Sequence, residues 1–154
     1  MERKILDMTC SARSMWFEKD NAQTVYMDKR QDVFVYPGNK VVNIDPQIVG
    51  SFSFLPFQDS SFHLVVFDPP HIEGLNTTAI LAQKYGTLFP SWREEIKEGF
   101  SEALRVLKTN GILIFKWNER QVGVKEVLEL SDCKPLFGHP TGKNGKTKWI
   151  SFMK

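Results

Sequence analysis

The chain has 154 residues, 42% of them hydrophobic and 25% charged, the composition of one ordinary globular domain (1–154) with a full core. A formal net charge of only +2 excludes the global basic field of a strong nonspecific DNA binder, so any nucleic-acid contact has to come from a local patch. Cys10 and Cys133 stand too far apart to suggest a disulfide framework or a metal-ligand pattern. No apolar run reaches the length of a membrane span, and Met1-Glu2-Arg3-Lys4 leads into strand-like sequence rather than a signal peptide, so a reduced, cytoplasmic protein is expected.

Lys4-Ile5-Leu6-Asp7-Met8 opens a first strand, followed by small residues, Thr9-Cys10-Ser11-Ala12, and a short helical pattern through Ser14-Met15-Trp16-Phe17. Thr24-Val25-Tyr26-Met27 is a second strand, ending in Asp28. In nucleoside-binding α/β folds an acidic residue at that point accepts hydrogen bonds from a ribose diol, because a fixed carboxylate matches two vicinal hydroxyls. The first loop, Asp7 to Arg13, contains no glycine, although a dinucleotide-type loop uses glycines for tight turning and close approach to the ligand. Arg13 is either a partner for a ligand carboxylate or an ordinary solvated charge. Residues 29–50 read as a polar connection with turn signals at Pro37-Gly38-Asn39 and Asp45-Pro46.

His63-Leu64-Val65-Val66-Phe67 reads as a strand covered on both faces, and it stops at Asp68-Pro69-Pro70-His71. The two prolines forbid further ladder bonding and stiffen the exit. In open parallel α/β sheets ligands bind beyond the carboxyl ends of the strands, so Asp68 is placed where a ligand would sit. A carboxylate, rigid carbonyls and the flat ring of His71 make an acceptor-rich pocket suited to a planar amine.

Beyond it, Thr77 or Thr78 caps a short helix through Ala79-Ile80-Leu81-Ala82, and Tyr85-Gly86 either stacks on a base or packs in the core. Ser91 and Glu94 form a capping box ahead of the clearest helix, whose stripe is Trp92, Ile96, Phe100, Ala103, Leu104 and Leu107. Asn110-Gly111 turns the chain into the strand Ile112-Leu113-Ile114-Phe115. That strand delivers Lys116-Trp117-Asn118-Glu119 to the same edge, with Trp117 either touching substrate or structural. Gln121 to Leu130 reads as a helix, Cys133 to Gly138 as a strand and Thr147 to Met153 as another, with Asn144-Gly145 a hairpin signal between them. A mostly parallel sheet therefore closes in an antiparallel pair. Lys143, Lys146 and Lys148 near that hairpin give modest support for a phosphate-bearing partner, or serve solubility and edge protection.

The Asp68-Pro69-Pro70-His71 segment resembles the Asp-Pro-Pro-Tyr-type motif of class I S-adenosylmethionine-dependent methyltransferases that modify amino groups, a family in which the last position is aromatic and varies. The hairpin ending extends the resemblance over nearly the whole chain. It implies an α/β fold, the Rossmann-like methyltransferase sandwich. Its mostly parallel seven-stranded sheet ends in an antiparallel hairpin, with helices on both faces. It implies S-adenosyl-L-methionine as cofactor, held by Asp7, Thr9, Cys10, Ser11, Arg13, Asp28, Ser51, Phe52 and Asp68. It implies catalysis by Asp68, Pro69, Pro70 and His71, and substrate contacts from His71, Tyr85, Lys116, Trp117, Asn118 and Lys143. Ser11 stands where the family usually has Gly, and Ser51 where many relatives hold the adenine amino group with Asp.

The leading expectation is methyl transfer to an amino nitrogen of a nucleic-acid base, adenine or cytosine in DNA or RNA, as in small stand-alone enzymes of bacteria and phages. Partner subunits or short loops would then supply target recognition. The same fold acting on a small molecule or a protein side chain is the second reading. A degenerate, non-catalytic binding module is the third, favoured by the glycine-free loop and Ser51 and opposed by the intact Asp68-Pro69-Pro70.

Overall fold

The computed structural model describes residues 3–76 and 80–154. The parallel part of the main sheet is built from β1 (Ile5–Asp7), β2 (Thr24–Asp28), β5 (Ile48–Val49), β6 (Phe62–Phe67) and β7 (Leu107–Asn118). Two further strands, β8 (Phe137–Thr141) and β9 (Thr147–Met153), pair with each other antiparallel, and β9 pairs antiparallel with β7. The seven strands run in the order β5-β2-β1-β6-β7-β9-β8. From β1 the chain builds outward to β2 and β5 on one side and to β6 and β7 on the other. The loops leaving β1 and β6 therefore part over the middle of the sheet and open a crevice at the carboxyl ends.

Register sorts the side chains onto two faces. Leu6, Val65, Leu113 and Phe152 pair in one row and Phe67, Phe115 and Ile150 in the next, and all seven are buried in one cluster. Helix α2 (Trp92–Val106) lies on this face with Trp92, Ile96, Phe100, Ala103 and Val106 buried at helical spacing. Its Gly99 permits the close approach: a Cβ there would stand 2.6 Å from the Phe67 ring and 2.9 Å from Phe52. Phe100 is the hub, with ring centroids 5.6 Å from Phe67, 4.8 Å from Phe115 and 5.7 Å from Phe152. Burying such rings contributes about 1.5–3 kcal/mol each. Helix α3 (Val124–Leu128) adds Val127 to the same cluster.

Several elements depart from expectation. The helix expected through Ser14-Phe17 does not form. Ser11 and Arg13 take φ of 47° and 53°, which breaks helical geometry, and Trp16 turns back edge-on to Tyr26, 5.2 Å between centroids. The 29–50 connection is an antiparallel hairpin of β3 (Asp32–Tyr36) and β4 (Lys40–Ile44), turning at Gly38 and Asn39 with φ of 82° and 58°.

The Ser91–Glu94 capping box is not made. Ser91 donates its hydroxyl to Glu95 Oε1 at 2.7 Å and caps no backbone N–H. Leu107 is not the end of the α2 stripe but the first residue of β7. Asn110-Gly111 lies inside β7 as an irregularity, where pairing with β6 jumps from Phe62–Leu107 to Leu64–Ile112 and Asn110 takes φ 64°. The Gln121–Leu130 helix shortens to α3, and the strand expected over Cys133–Gly138 is displaced to β8. Asn144 and Gly145, at φ 62° and 64°, turn β8 into β9 as their residue types suggest. The expected cap at Thr77 or Thr78 lies outside the described residues; α1 (Ile80–Tyr85) follows them.

Candidate active site

Over the carboxyl ends of β1, β2, β6 and β7 lies a cavity of about 900 Å³, roofed by α1 and the segment leading to α2. That volume is at the upper end of small-molecule and cofactor pockets, about 300–1,000 Å³. Three neighbouring strands each end in an aspartate: β1 in Asp7, β2 in Asp28, and β6 runs directly into Asp68. The three carboxylates are handled in three different ways.

Asp7 is buried under the loop that follows it. Trp16 Nε1 donates to its Oδ2 at 2.7 Å and the Thr9 N–H to its Oδ1 at 3.2 Å. Burial, with smaller contributions from Asp68 and Asp28, pushes its pKa up to about 7, since an ion loses its hydration there. Asp7 does not line the cavity, so the structure gives it a place beneath the site rather than in it.

Asp28 does line the cavity, and its carboxylate is saturated by its own chain. The Ser11 and Arg30 backbone N–H groups donate to it at 2.8 and 2.9 Å, and the Arg30 guanidinium donates at 3.0 Å from Nε and 3.3 Å from Nη2. A carboxylate offers about four lone-pair sites, so these donors fill it. Arg30 Nη1 also reaches the Gln83 carbonyl at 3.0 Å, and Ser11 Oγ the Lys84 carbonyl at 2.9 Å, tying α1 down onto the first loop.

Asp68 sits at the other side of the crevice. Its N–H donates to Thr9 Oγ1 at 2.8 Å, which fixes the start of the Asp-Pro-Pro segment against the β1 loop. Lys116, from β7, donates to Oδ2 at 2.5 Å. Burial pushes the carboxyl's pKa up, and the Lys116 ammonium, with a smaller contribution from His71, offsets that only in part. Burial likewise lowers His71 below the ordinary histidine value, which favours the neutral ring. Gly86, at φ 78°, fits the roof onto this segment: a Cβ there would stand 2.8 Å from the Pro70 ring.

Of the residues singled out in sequence, Thr9, Cys10, Ser11, Asp28, Phe52, Asp68, Pro69, Pro70, His71, Tyr85, Lys116 and Asn118 line this one cavity. Asp7, Arg13, Ser51, Trp117 and Lys143 do not. Arg13 is spent on Asp20 at 2.6 Å, the Asp45 carbonyl at 2.6 Å and the Tyr26 ring at 4.1 Å. Ser51 Oγ is 2.8 Å from Ser53 Oγ, and Trp117 is fully buried with Nε1 donating to the Val122 carbonyl at 3.0 Å. Lys143 belongs to the β8–β9 turn, and its neighbour Lys148 is paired with Glu119 at 3.0 Å. The sequence reading missed Arg30, Phe34, Arg120 and Trp92 as lining residues. An arginine two residues after the β2 aspartate was the available signal for the first; Trp92 had been absorbed into the α2 stripe.

No protein-family model and no curated protein matches the chain. Solved structures do match it in fold. The PH0226 protein of Pyrococcus horikoshii superposes with a TM-score of 0.61 at 15% identity, over 97% of this chain and 82% of that one. A TehB-like SAM-dependent methyltransferase from Corynebacterium glutamicum gives 0.57 at 14% identity, over 99% and 80%. A SAM-dependent methyltransferase from Methanosarcina mazei gives 0.53 at 15%, over 100% and 94%. The chain is thus similar in fold to Rossmann-like methyltransferases, in agreement with the sheet order and the antiparallel ending.

Proposed function

We propose that this single domain is an S-adenosylmethionine-dependent methyltransferase that methylates an amino nitrogen of a nucleic-acid base. The observation that carries the reading is Asp68-Pro69-Pro70-His71 at the end of β6, inside the cavity that also holds Asp28 at the end of β2. The cavity fits the cofactor in size. Ser11 and Arg13, although not glycine, take the left-handed backbone that a glycine loop would supply. Seating a ribose on Asp28 requires the Arg30 guanidinium to swing off, which a partly exposed long side chain can do.

S-adenosylmethionine, when bound, supplies an electrophilic methyl group on a sulfonium. The protein's task is then to align and prepare the acceptor. Asp68 accepts one hydrogen of the amine and favours a pyramidal nitrogen with its lone pair free. Methylation would leave the nitrogen with a surplus proton, which Asp68 in its ionised form would take up and pass on to water. Lys116 opposes the upward pull of burial on Asp68, and the neutral His71 offers a flat face to the base. For a duplex substrate the base must also leave the stack.

A nucleic-acid acceptor is supported by the cavity mouth. There Tyr85 and Phe89 are 41% and 49% exposed, with Lys84 Nζ 5.0 Å and Lys29 Nζ 5.7 Å over their rings. Aromatic platforms interleaved with cations suit stacked bases and phosphates. The non-catalytic reading also has one observation in its favour, the saturated Asp28. Calorimetric titration with S-adenosylhomocysteine decides between them: saturable binding supports the enzyme and licenses methyl-transfer assays on DNA and RNA, and no heat at any concentration sinks it.

A further inference from the structure

β7 contains Ile112-Leu113-Ile114-Phe115, an unbroken apolar run of the kind that serves a strand buried on both faces. Only one of its faces is buried. Leu113 and Phe115 point into the cluster under α2 and are 0% exposed, whereas Ile112 and Ile114 between them are half-buried. β9 repeats the alternation: Ile150 and Phe152 are buried, Trp149 and Ser151 half-buried and Met153 exposed. The register joins the half-covered residues into one surface across β6, β7, β9 and β8. Leu64, Ile112 and Met153 share a row, Ile114 pairs with Ser151 and Ser151 with Phe137 in the next, and Trp149 stands beside Lys116 in a third. α2 and α3 bury their apolar residues in the cluster on the opposite face, and α1 roofs the cavity, so no described helix covers this surface.

A contiguous apolar surface of this kind marks an interaction site. Its charge selects the partner. Lys116 is the only Lys, Arg, Asp or Glu in those rows, and its ammonium is engaged by Asp68. A partner of different sequence is registered by charges and polar anchors, which this face does not offer. A second copy needs none, meets no unpaired like charge across the face, and is opposed by a net charge of only +2. Shape agrees. Phe137 stands out at the β8 edge, 70% exposed, while at the β6 edge Leu64 is half-buried and Val66 only 6% exposed. Four strands about 4.8 Å apart and three rows about 6.7 Å apart give a flat footprint of roughly 400 Å² on each copy. Side-chain relief raises the area lost by a pair to about 1,000 Å², the small end of specific interfaces, where association is reversible. We propose that the chain forms a reversible dimer by stacking this sheet face on that of a second copy, about 10 Å apart. A twofold axis between the sheets and along the strands sets β8 of each copy over β6 of the other, so that each Phe137 rests on the partner's Leu64.

Sedimentation velocity of the full chain, from low micromolar to several hundred micromolar at physiological ionic strength, tests the pairing. The expected result is a concentration-dependent shift from monomer to dimer with no larger species, since an isologous face is used up in the pair. Phe137→Ser, at an exposed position where the fold loses little, should raise the dissociation constant at least tenfold. Ile114→Lys, which sets two ammonium groups against each other near the axis, should abolish the dimer. Phe54→Ser is the control: that ring is 80% exposed but lies outside the sheet, and the dimer should be unchanged. If Ile114→Lys fails to fold, Phe137→Ser against Phe54→Ser decides. A chain that stays monomeric at every concentration overturns the inference and leaves the face to a different partner. A dimer indifferent to Phe137→Ser, one weakened equally by Phe54→Ser, or growth past the dimer overturns it as well. The pairing is independent of the methyl-transfer reading, which stands or falls on cofactor binding whichever result is obtained.

Discussion

The two ends of the cavity are built from the same part, an aspartate at the carboxyl end of a parallel strand, and they are left in opposite states. Asp28 at the β2 end is filled by donors from Ser11 and Arg30. Asp68 at the β6 end has Lys116 on Oδ2 and no hydrogen bond to Oδ1 among the described residues. One end is closed by its own chain and must exchange a partner to bind. The other is desolvated and incomplete, so a ligand adds bonds there without first displacing any. Preorganisation is therefore concentrated where chemistry is proposed, and the β2 end is left to a trade of hydrogen bonds.

The largest effect expected from breaking this asymmetry is at Asp68. Asp68→Asn keeps the shape of the group but loses the anion, so it can neither draw a proton from the amine nor hold Lys116. Methyl transfer should fall by roughly 10²–10⁴-fold, the usual contribution of a positioned acid–base group, with the affinity for S-adenosylhomocysteine little changed. A single-turnover assay with labelled cofactor beside a binding titration separates the two. Survival of the rate would remove Asp68 from catalysis.

Asp7, the third strand-end aspartate, gives a smaller and purely structural effect. Its folded pKa of about 7 stands above the model-compound value of 3.8, so the folded state holds the proton more tightly than the unfolded one. The resulting stabilisation is full below the unfolded value and is lost as pH rises through about 7. Between pH 8 and pH 5.5 this group alone should add about 2 kcal/mol to unfolding stability. In Asp7→Asn that increment should vanish, and urea unfolding of both proteins at the two pH values measures it. Equal pH dependence in the two would mean that Asp7 titrates normally in the fold.

Much of this architecture was legible before any coordinates. Four apolar residues closed by Asp68-Pro69-Pro70 announce a buried strand and its end because proline cannot continue a ladder. Asn144-Gly145 announces the final turn because both residues tolerate left-handed backbone. The β3–β4 hairpin was missed although its signal was present. Val33-Phe34-Val35-Tyr36 and Val41-Val42 flank the Pro37-Gly38-Asn39 turn as short runs of strand formers, and the exposure of Val33, Val35 and Val41 shows that this hairpin stands outside the core the rest of the pattern points to.

The absent first helix was misread for the opposite reason. Its apolar spacing was real, yet Trp16 is spent on Asp7 and Tyr26, contacts that no local pattern encodes. Arg13 shows the same limit, since its partners Asp20 and Asp45 lie 7 and 32 residues away. Trp92 reads as core from its place in the α2 stripe, and it is core.

The finest test of the contrast is at the filled end. If Arg30 competes with the cofactor for Asp28, Arg30→Ala should tighten S-adenosylhomocysteine binding by a few-fold, up to about tenfold, because a charge-assisted hydrogen bond no longer has to be broken first. Asp28→Ala should weaken binding by a similar factor. In the double variant the Arg30 effect should disappear, since nothing is left to compete for, and calorimetry on the four proteins closes the cycle. Arg30→Ala also frees α1 from its bond to the Gln83 carbonyl, so faster hydrogen exchange over 80–85 is expected alongside the tighter binding. Weaker binding in Arg30→Ala would make Arg30 a contact of the ligand rather than its rival, and the two ends of the cavity would then be alike after all.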